Sequence, residues 1–268
     1  MDGYLSDNDL FISPPCTHSR APACTTSCSC IALSINCATS KLNRLIKVDQ
    51  LLFLDSARDE DCTDWLQTGV VHGVTTNSTI LARAGATSVS TAIKGILGHA
   101  PAEVHAQVLS EQDEVAFRQA IELAALDPRV RVKIPFVTSE GRRRAALIRR
   151  VREAGVSVNV TVCTSLAELY AALSLAPDYL SVLWCRTRDA GEDPAQVVRA
   201  VAARRAVTGV GTRLIVGSIR EPGDVTAALG GPCDVVTVPP AVLGKWLDSP
   251  PSVVMARQFA TDAEGLVA

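Results

Sequence analysis

Aromatic residues make up only 4% of the chain, and there are just two methionines. With few large side chains, a core must be filled by many small aliphatic contacts, which favours layered α/β packing. No run of 18 or more apolar residues occurs, so no membrane span is expected. Neither sign of charge is in excess: 26 Lys and Arg face 28 Asp and Glu, for a net charge of −2. No global field therefore draws the chain to nucleic acid or to an anionic membrane. The start lacks a basic segment ahead of an apolar one, so no secretory signal is expected and the thiols are read as reduced, in the cytoplasm. No Gly-x-Gly-x-x-Gly follows any apolar run, and no paired Cys-x-x-Cys or His-x-x-x-His spacing marks a metal site.

What is present falls into two parts. Residues 1–48 hold "SPPCTHSRAPACTTSCSC" and five of the nine cysteines, with no sustained hydrophobic period. Such a composition buries too little apolar surface to offset the entropy of ordering, so this segment is read as a disordered extension. Its Cys24, Cys28, Cys30 and His18 leave a metal or partner tether as the alternative reading. Residues 49–268 are read as the folded domain.

From Val48 onward, short apolar runs alternate with segments of helical period. The runs are 51–55, 70–74, 103–108, 130–134, 156–162, 179–184, 213–218 and 234–238. Strands alternating with helices imply parallel βαβ units, and eight such units in about 200 residues suit a (β/α)8 barrel. Helix signals fall between the runs. Ser110 precedes a helix expected over 111–126. Ser165 with Glu168 forms a capping box, Asp193–Pro194 an N-cap and first turn, and Gly155 closes a basic helix expected over 139–154. The arginines of that last segment are read as the solvated face of an outer helix. Its Ala145, Ile148 and Val151 supply an apolar stripe. His72 and His105 are read as filling polar gaps in strands.

A barrel places its chemistry at the C-terminal ends of the strands. The runs end in Asp55; Thr75 with Thr76 and Asn77; Gln107; Lys133; Thr161; Arg186; and Ser218 with Arg220. Lys133 interrupts the alternation of "VRVKIPF", where a charged head group is costly unless it is paired, neutral or used. Two readings stand. In one, Asp55 caps the next helix and Lys133 is its buried ion-pair partner. In the other, Lys133 is a neutral amine that attacks a ketone to form a Schiff base. Asp55 is then the acid/base, and Gln107 and Thr161 hold a water. A third possibility is a non-catalytic barrel that binds sugar phosphates.

The series "LFLDSA" (52–57), "GVVHGVTTN" (69–77), "HAQV" (105–108), "VKIP" (132–135), "VNVT" (158–161), "GSIREP" (217–222) and "VVTVP" (235–239) resembles the transaldolase family, in its small-subunit and fructose-6-phosphate aldolase branches. The resemblance implies a (β/α)8 barrel and Schiff-base chemistry on a sugar or sugar phosphate, without metal or organic cofactor. It implies Lys133 as the Schiff-base lysine and Asp55 as the acid/base. Thr161 lies near the catalytic water, and Thr75 and Asn77 hold donor hydroxyls. Arg186, Ser218 and Arg220 match phosphate-binding positions. In the resembled family a C-terminal helix helps subunits associate, so a homo-oligomer is expected, with no nucleic-acid or membrane partner. Three departures lie on the substrate side: Ser78 replaces a proline, Leu183 replaces an aromatic residue, and Arg188 is added in "RTRD". Gln107 is the residue found in the aldolases, where transaldolases usually carry Glu. That favours aldol cleavage and addition over transfer.

Overall fold

The computed structural model describes residues 51–266, within the second of two units into which the chain divides, Val48–Ala268. The expected extension over 1–48 lies outside the described residues. Eight parallel strands close into a barrel in sequence order: β1 (Leu51–Asp55), β2 (Gly73–Thr75), β3 (Glu103–Gln107), β4 (Val130–Pro135), β5 (Val158–Thr161), β6 (Tyr179–Leu183), β7 (Arg213–Gly217) and β8 (Val235–Val238). The expected (β/α)8 barrel is therefore what the chain forms. The run at 70–74 is corrected: the second strand begins at Gly73, and Val70–His72 lead into it.

Both faces of these strands are covered, which explains their nearly continuous apolar character. Residues such as Leu54, Val104, Val132, Val160, Leu180 and Val236 face the helices and form the main core. The alternate positions point into the barrel, where Phe53, Tyr179, Ile215 and Val235 form a small inner cluster. Gly73 makes room for it, because a Cβ there would meet the Phe53 ring at 2.8 Å.

The helices follow their local signals, with several corrections. α1 (Asp59–Leu66), α2 (Ser78–Arg83) and α3 (Val89–Gly98) precede α4 (Asp113–Ala124), which starts two residues later than expected. Ser110 does not cap it; Gln112 holds the N-cap position. α5 (Ala145–Glu153) is shorter than the basic segment, because residues 137 and 143 pair as an antiparallel bridge ahead of it. The expected solvated face of arginines is corrected at Arg144, which precedes α5 and is buried against Asp113 at 2.9 Å; Arg150 stays half-exposed, pairs with Glu114 and lies over the Phe117 ring.

α6 (Leu166–Leu173) is capped by Ser165, but the expected capping box does not close, because the Glu168 carboxylate accepts from the Thr164 N–H and not from that of Ser165. α7 (Trp184–Asp189) follows β6 directly. α8 (Pro194–Thr208) is capped by Asp193, α9 (Pro222–Leu229) follows β7, and α10 (Pro240–Leu247) and α11 (Pro250–Asp262) complete the described chain. Gly155 adopts φ +80°, the left-handed value expected beyond α5. Among the described residues no helix is long and apolar enough to cross a membrane.

Candidate active site

The barrel register brings the polar strand ends to one mouth. Asp55 pairs with Thr75 across β1 and β2, Gln107 with Lys133 across β3 and β4, and Lys133 with Asn159 across β4 and β5. Pro135 is the last residue of β4, so the strand aims Lys133 inward and then stops.

Lys133 is 8% exposed, and its Nζ donates one hydrogen bond, to the Thr76 carbonyl at 2.9 Å. An ammonium carries three donors and prefers several acceptors or a counter-charge. Burial therefore lowers the Lys133 pKa, and the negative charge of Asp55 opposes that shift only in part. Burial likewise raises the Asp55 carboxyl above its usual range, against the pull of Lys133 and the Thr75 hydrogen bond. The two groups sense each other without closing into an ion pair: Asp55 Oδ1 accepts from Thr75 Oγ1 at 2.6 Å, and Lys133 turns to Thr76. Nor does Asp55 cap α1, whose N-cap residue is Arg58. The purely structural pairing is thus not what the geometry contains.

Thr237 on β8 lies 2.6 Å from Thr75, oxygen to oxygen. Thr75 has one proton and gives it to Asp55, so Thr237 must donate to Thr75. Thr76 is fixed in turn, its N–H and Oγ1 both donating to the His105 carbonyl at 2.9 and 3.0 Å. Asn77 caps α2 through Oδ1, which accepts from Ile80 N–H at 2.9 Å. Its NH2 group makes no hydrogen bond among the described residues. Thr161 is buried at the end of β5, and Gln107 is half-buried at the end of β3. Asn159 and Ser181 sit between the mouth and the barrel floor, joined by a 2.8 Å hydrogen bond.

Sequence reading missed Thr237, Asn159 and Ser181. Each is an inward position in a recognised run, one strand period from a residue that was singled out or from the barrel floor.

Farther out, Arg186 is exposed on α7, Ser218 follows β7 at φ +59°, and Arg220 is exposed just beyond it. Arg220 forks onto Asp189, with distances of 3.1 and 2.5 Å. The added Arg188 pairs with Asp224 at 2.8 Å. Leu183 ends β6, and no aromatic ring takes that position. The described residues hold no cluster of His, Cys, Asp and Glu able to bind a metal ion.

The family model described as Transaldolase/Fructose-6-phosphate aldolase matches residues 52–265. The chain belongs to this family. A Desulforudis audaxviator protein described as "Probable transaldolase" is 32% identical over 211 residues, 79% of this chain and 96% of its own length. An Alkaliphilus metalliredigens protein of the same description is 31% identical over 217 residues, 81% of this chain and 99% of its own. Among solved structures, a lactate oxidase of Pediococcus acidilactici superposes with a TM-score of 0.53 at 12% identity, over 74% of this chain and 64% of that one. At that identity the likeness concerns the barrel alone.

Proposed function

We propose that this transaldolase-family chain makes and breaks a carbon–carbon bond in ketose substrates through a Schiff base on Lys133. One observation carries the reading: a buried lysine with a single neutral acceptor stands beside a carboxylate it does not neutralise. A lysine of depressed pKa supplies the free amine that attacks the ketone carbonyl. Loss of water from the carbinolamine gives the iminium. Asp55, as carboxylate, takes the proton of the hydroxyl on the carbon to be released. The bond breaks, its electron pair moves into the iminium to form an enamine, and an aldehyde leaves.

Thr75 orients Asp55, and Asn77 offers its amide NH2 to a donor hydroxyl. Gln107 and Thr161 flank the water that returns a proton to the enamine carbon and hydrolyses the product imine. Arg186 and Ser218 bracket the distal end of the substrate. Gln107, a neutral amide, orients that water without taking up a proton, so we favour cleavage and addition. The description of the curated relatives favours transfer of a dihydroxyacetone unit as the second reading. α11 presents Val253, Val254, Met255 and Phe259 to solvent, which supports a homo-oligomer.

Borohydride reduction in the presence of a ketose should add one substrate fragment at Lys133, and Lys133→Met should lose both adduct and turnover. An adduct at Lys94 or Lys245 instead would overturn the assignment. Release of a three-carbon ketone without any aldehyde acceptor supports cleavage; strict dependence on acceptor makes transfer the reaction.

A further inference from the structure

The distal end of the mouth is built from two separate pieces of chain. One is α7, which follows β6 and carries Arg186; the other is the loop after β7, with Ser218 and Arg220. A substrate that spans both needs them held at a fixed separation. The strand ladder stops short of them, with Leu183 opposite Gly217. Beyond it one backbone bond crosses, from the Cys185 N–H to the Ser218 carbonyl at 3.2 Å. Ser218 itself adopts φ +59°, a left-handed value that persists in a serine only where the surroundings impose it. The remaining fastening converges on one carboxylate, that of Asp224, 6% exposed in the first turn of α9. Its Oδ2 accepts the backbone N–H groups of Arg220 and Glu221 at 3.4 and 3.2 Å, and the Cys185 thiol at 3.2 Å. Its Oδ1 accepts Trp184 Nε1 at 3.1 Å and the Arg188 guanidinium at 2.8 Å. Trp184, Cys185 and Arg188 belong to α7, so one side chain ties the two pieces together. The bond to Arg220 uses its backbone and leaves its guanidinium outside, where it pairs with the exposed Asp189.

We propose that Asp224 is a positioning residue for the distal end of a sugar phosphate: it holds Ser218 and Arg220 at the separation from Arg186 that lets all three grip one phosphate. The inference rests on the Schiff-base reading of Lys133 and adds to it a residue that touches neither the lysine nor the substrate. The added Arg188 acts through Asp224, as a counter-charge that keeps the buried carboxylate ionised. Ionisation matters because only a carboxylate accepts through both oxygens. An amide in its place has one acceptor oxygen and an NH2 group that can only donate. Whichever way it turns, either the loop N–H groups or the donors of Trp184 and Arg188 lose their acceptor. The tie between α7 and the loop is then broken while the shape of the side chain is kept.

The test follows the borohydride-trapped adduct on Lys133 as fructose 6-phosphate is raised, in the parent protein and in Asp224→Asn. The half-saturating concentration should rise about tenfold in the variant, the scale of one charge-assisted hydrogen bond to the phosphate. An unchanged half-saturating concentration would overturn the proposal. A residue that only supports the fold would lower the fraction trapped at saturation and leave the half-saturating concentration where it was. Dihydroxyacetone has no distal end and serves as the control; an equal rise for both compounds would also overturn the proposal. Should Asp224→Asn not fold, Trp184→Phe and Arg188→Gln decide, since each removes one donor from Oδ1. Both should raise the half-saturating concentration about two- to threefold. Trp184 is 4% exposed in the main core, so a rise there is transmitted through Asp224. A rise in neither variant, or in Arg188→Gln alone, would overturn the positioning role. No adduct on Lys133 in the parent protein sinks the Schiff-base reading and this inference with it. An adduct indifferent to Asp224 sinks only this one.

Discussion

The inside of this barrel holds ionisable groups at two levels, and their carboxylates are treated in opposite ways. On the floor, Glu103 accepts from Arg131 NH2 at 3.1 Å and from the Tyr179 hydroxyl, which also accepts from Arg213 NH1 at 2.7 Å. Above them His105 is fully buried between Phe53 and Tyr179, its Nδ1 2.9 Å from Asn159 Nδ2. Burial pushes Glu103 upward, but His105, Tyr179 and Arg131 together hold it at about 2. Burial lowers His105 to about 4, so it is neutral at pH 7.

On the floor, Glu103 is thus held charged by its partners, while burial keeps His105 neutral. At the mouth the shifts run towards the uncharged forms: Lys133 down and Asp55 up, with no ion pair between them. Burial is common to both levels. On the proposed reading, what separates the mouth from the floor is that charged partners hold Glu103, whereas Lys133 has only the Thr76 carbonyl.

The comparison is broken most sharply by one substitution at each level. Lys133→Met should remove all measurable turnover and the borohydride adduct while leaving the melting temperature equal or higher, since a poorly satisfied buried amine is replaced by an apolar chain. Glu103→Ala should do the reverse. It strands Arg131 and the Tyr179 hydroxyl, at a cost of about 3 kcal/mol in denaturant unfolding, yet the folded variant should still trap substrate on Lys133. A Glu103→Ala protein of parental stability would show that the floor network is not structural.

Much of the mouth was legible in the sequence because a parallel barrel strand ends where its polar residue begins. Asp55, Lys133 and Thr161 each lie at or near the end of an apolar run, on β1, β4 and β5, and the closed parallel barrel brings those strand ends to one mouth. Thr237 escaped notice because a threonine within "DVVTV" is ordinary strand composition. Its role depends on a hydroxyl 162 positions away in the chain, which no local pattern records. The ion pairs of Arg220 and Arg188 escaped for the same reason: their partners lie 31 and 36 residues away. The helix starts at Asp113 and Ala145 differ from the expected ones because chain leading into each is tied down by tertiary bonds. Ser110 carbonyl accepts from Arg144, and Thr138 N–H donates to the Arg142 carbonyl.

A pH titration of stability sharpens the contrast. His105 has a folded pKa of about 4 against an ordinary 6.5, so the unfolded chain binds more protons between those values. The stability it contributes is complete above pH 6.5 and is lost as pH falls towards 4, by about 3 kcal/mol over the window. Glu103, depressed to about 2, adds a second loss as pH falls from about 4.5 towards 2. His105→Gln should flatten the first window and shrink the second, because His105 is one of the groups that hold Glu103 down. A parental slope between pH 6.5 and 4 in that variant would place the acid sensitivity elsewhere.

The smallest expected effect tests how the mouth is tuned. Thr237 donates to Thr75, and Thr75 donates to Asp55, so each hydrogen bond polarises the next and favours the carboxylate. Thr237→Val keeps the shape but removes the outer donor. Thr75 still bonds Asp55, so the loss should be about 0.5–1 kcal/mol, or two- to fivefold in kcat/KM at neutral pH. The direction follows from the proposed role of Asp55 as a base. With its anion less stabilised, its pKa rises, and the acidic limb of the kcat/KM profile moves to higher pH. Thr75→Val, which removes the direct donor, should move the limb farther the same way. If Thr237→Val lowers the rate uniformly across pH, Thr237 acts only by packing beside Gly217, where its methyl group would lie 3.2 Å from an added Cβ. Asp55 would then be tuned by Thr75 and Lys133 alone.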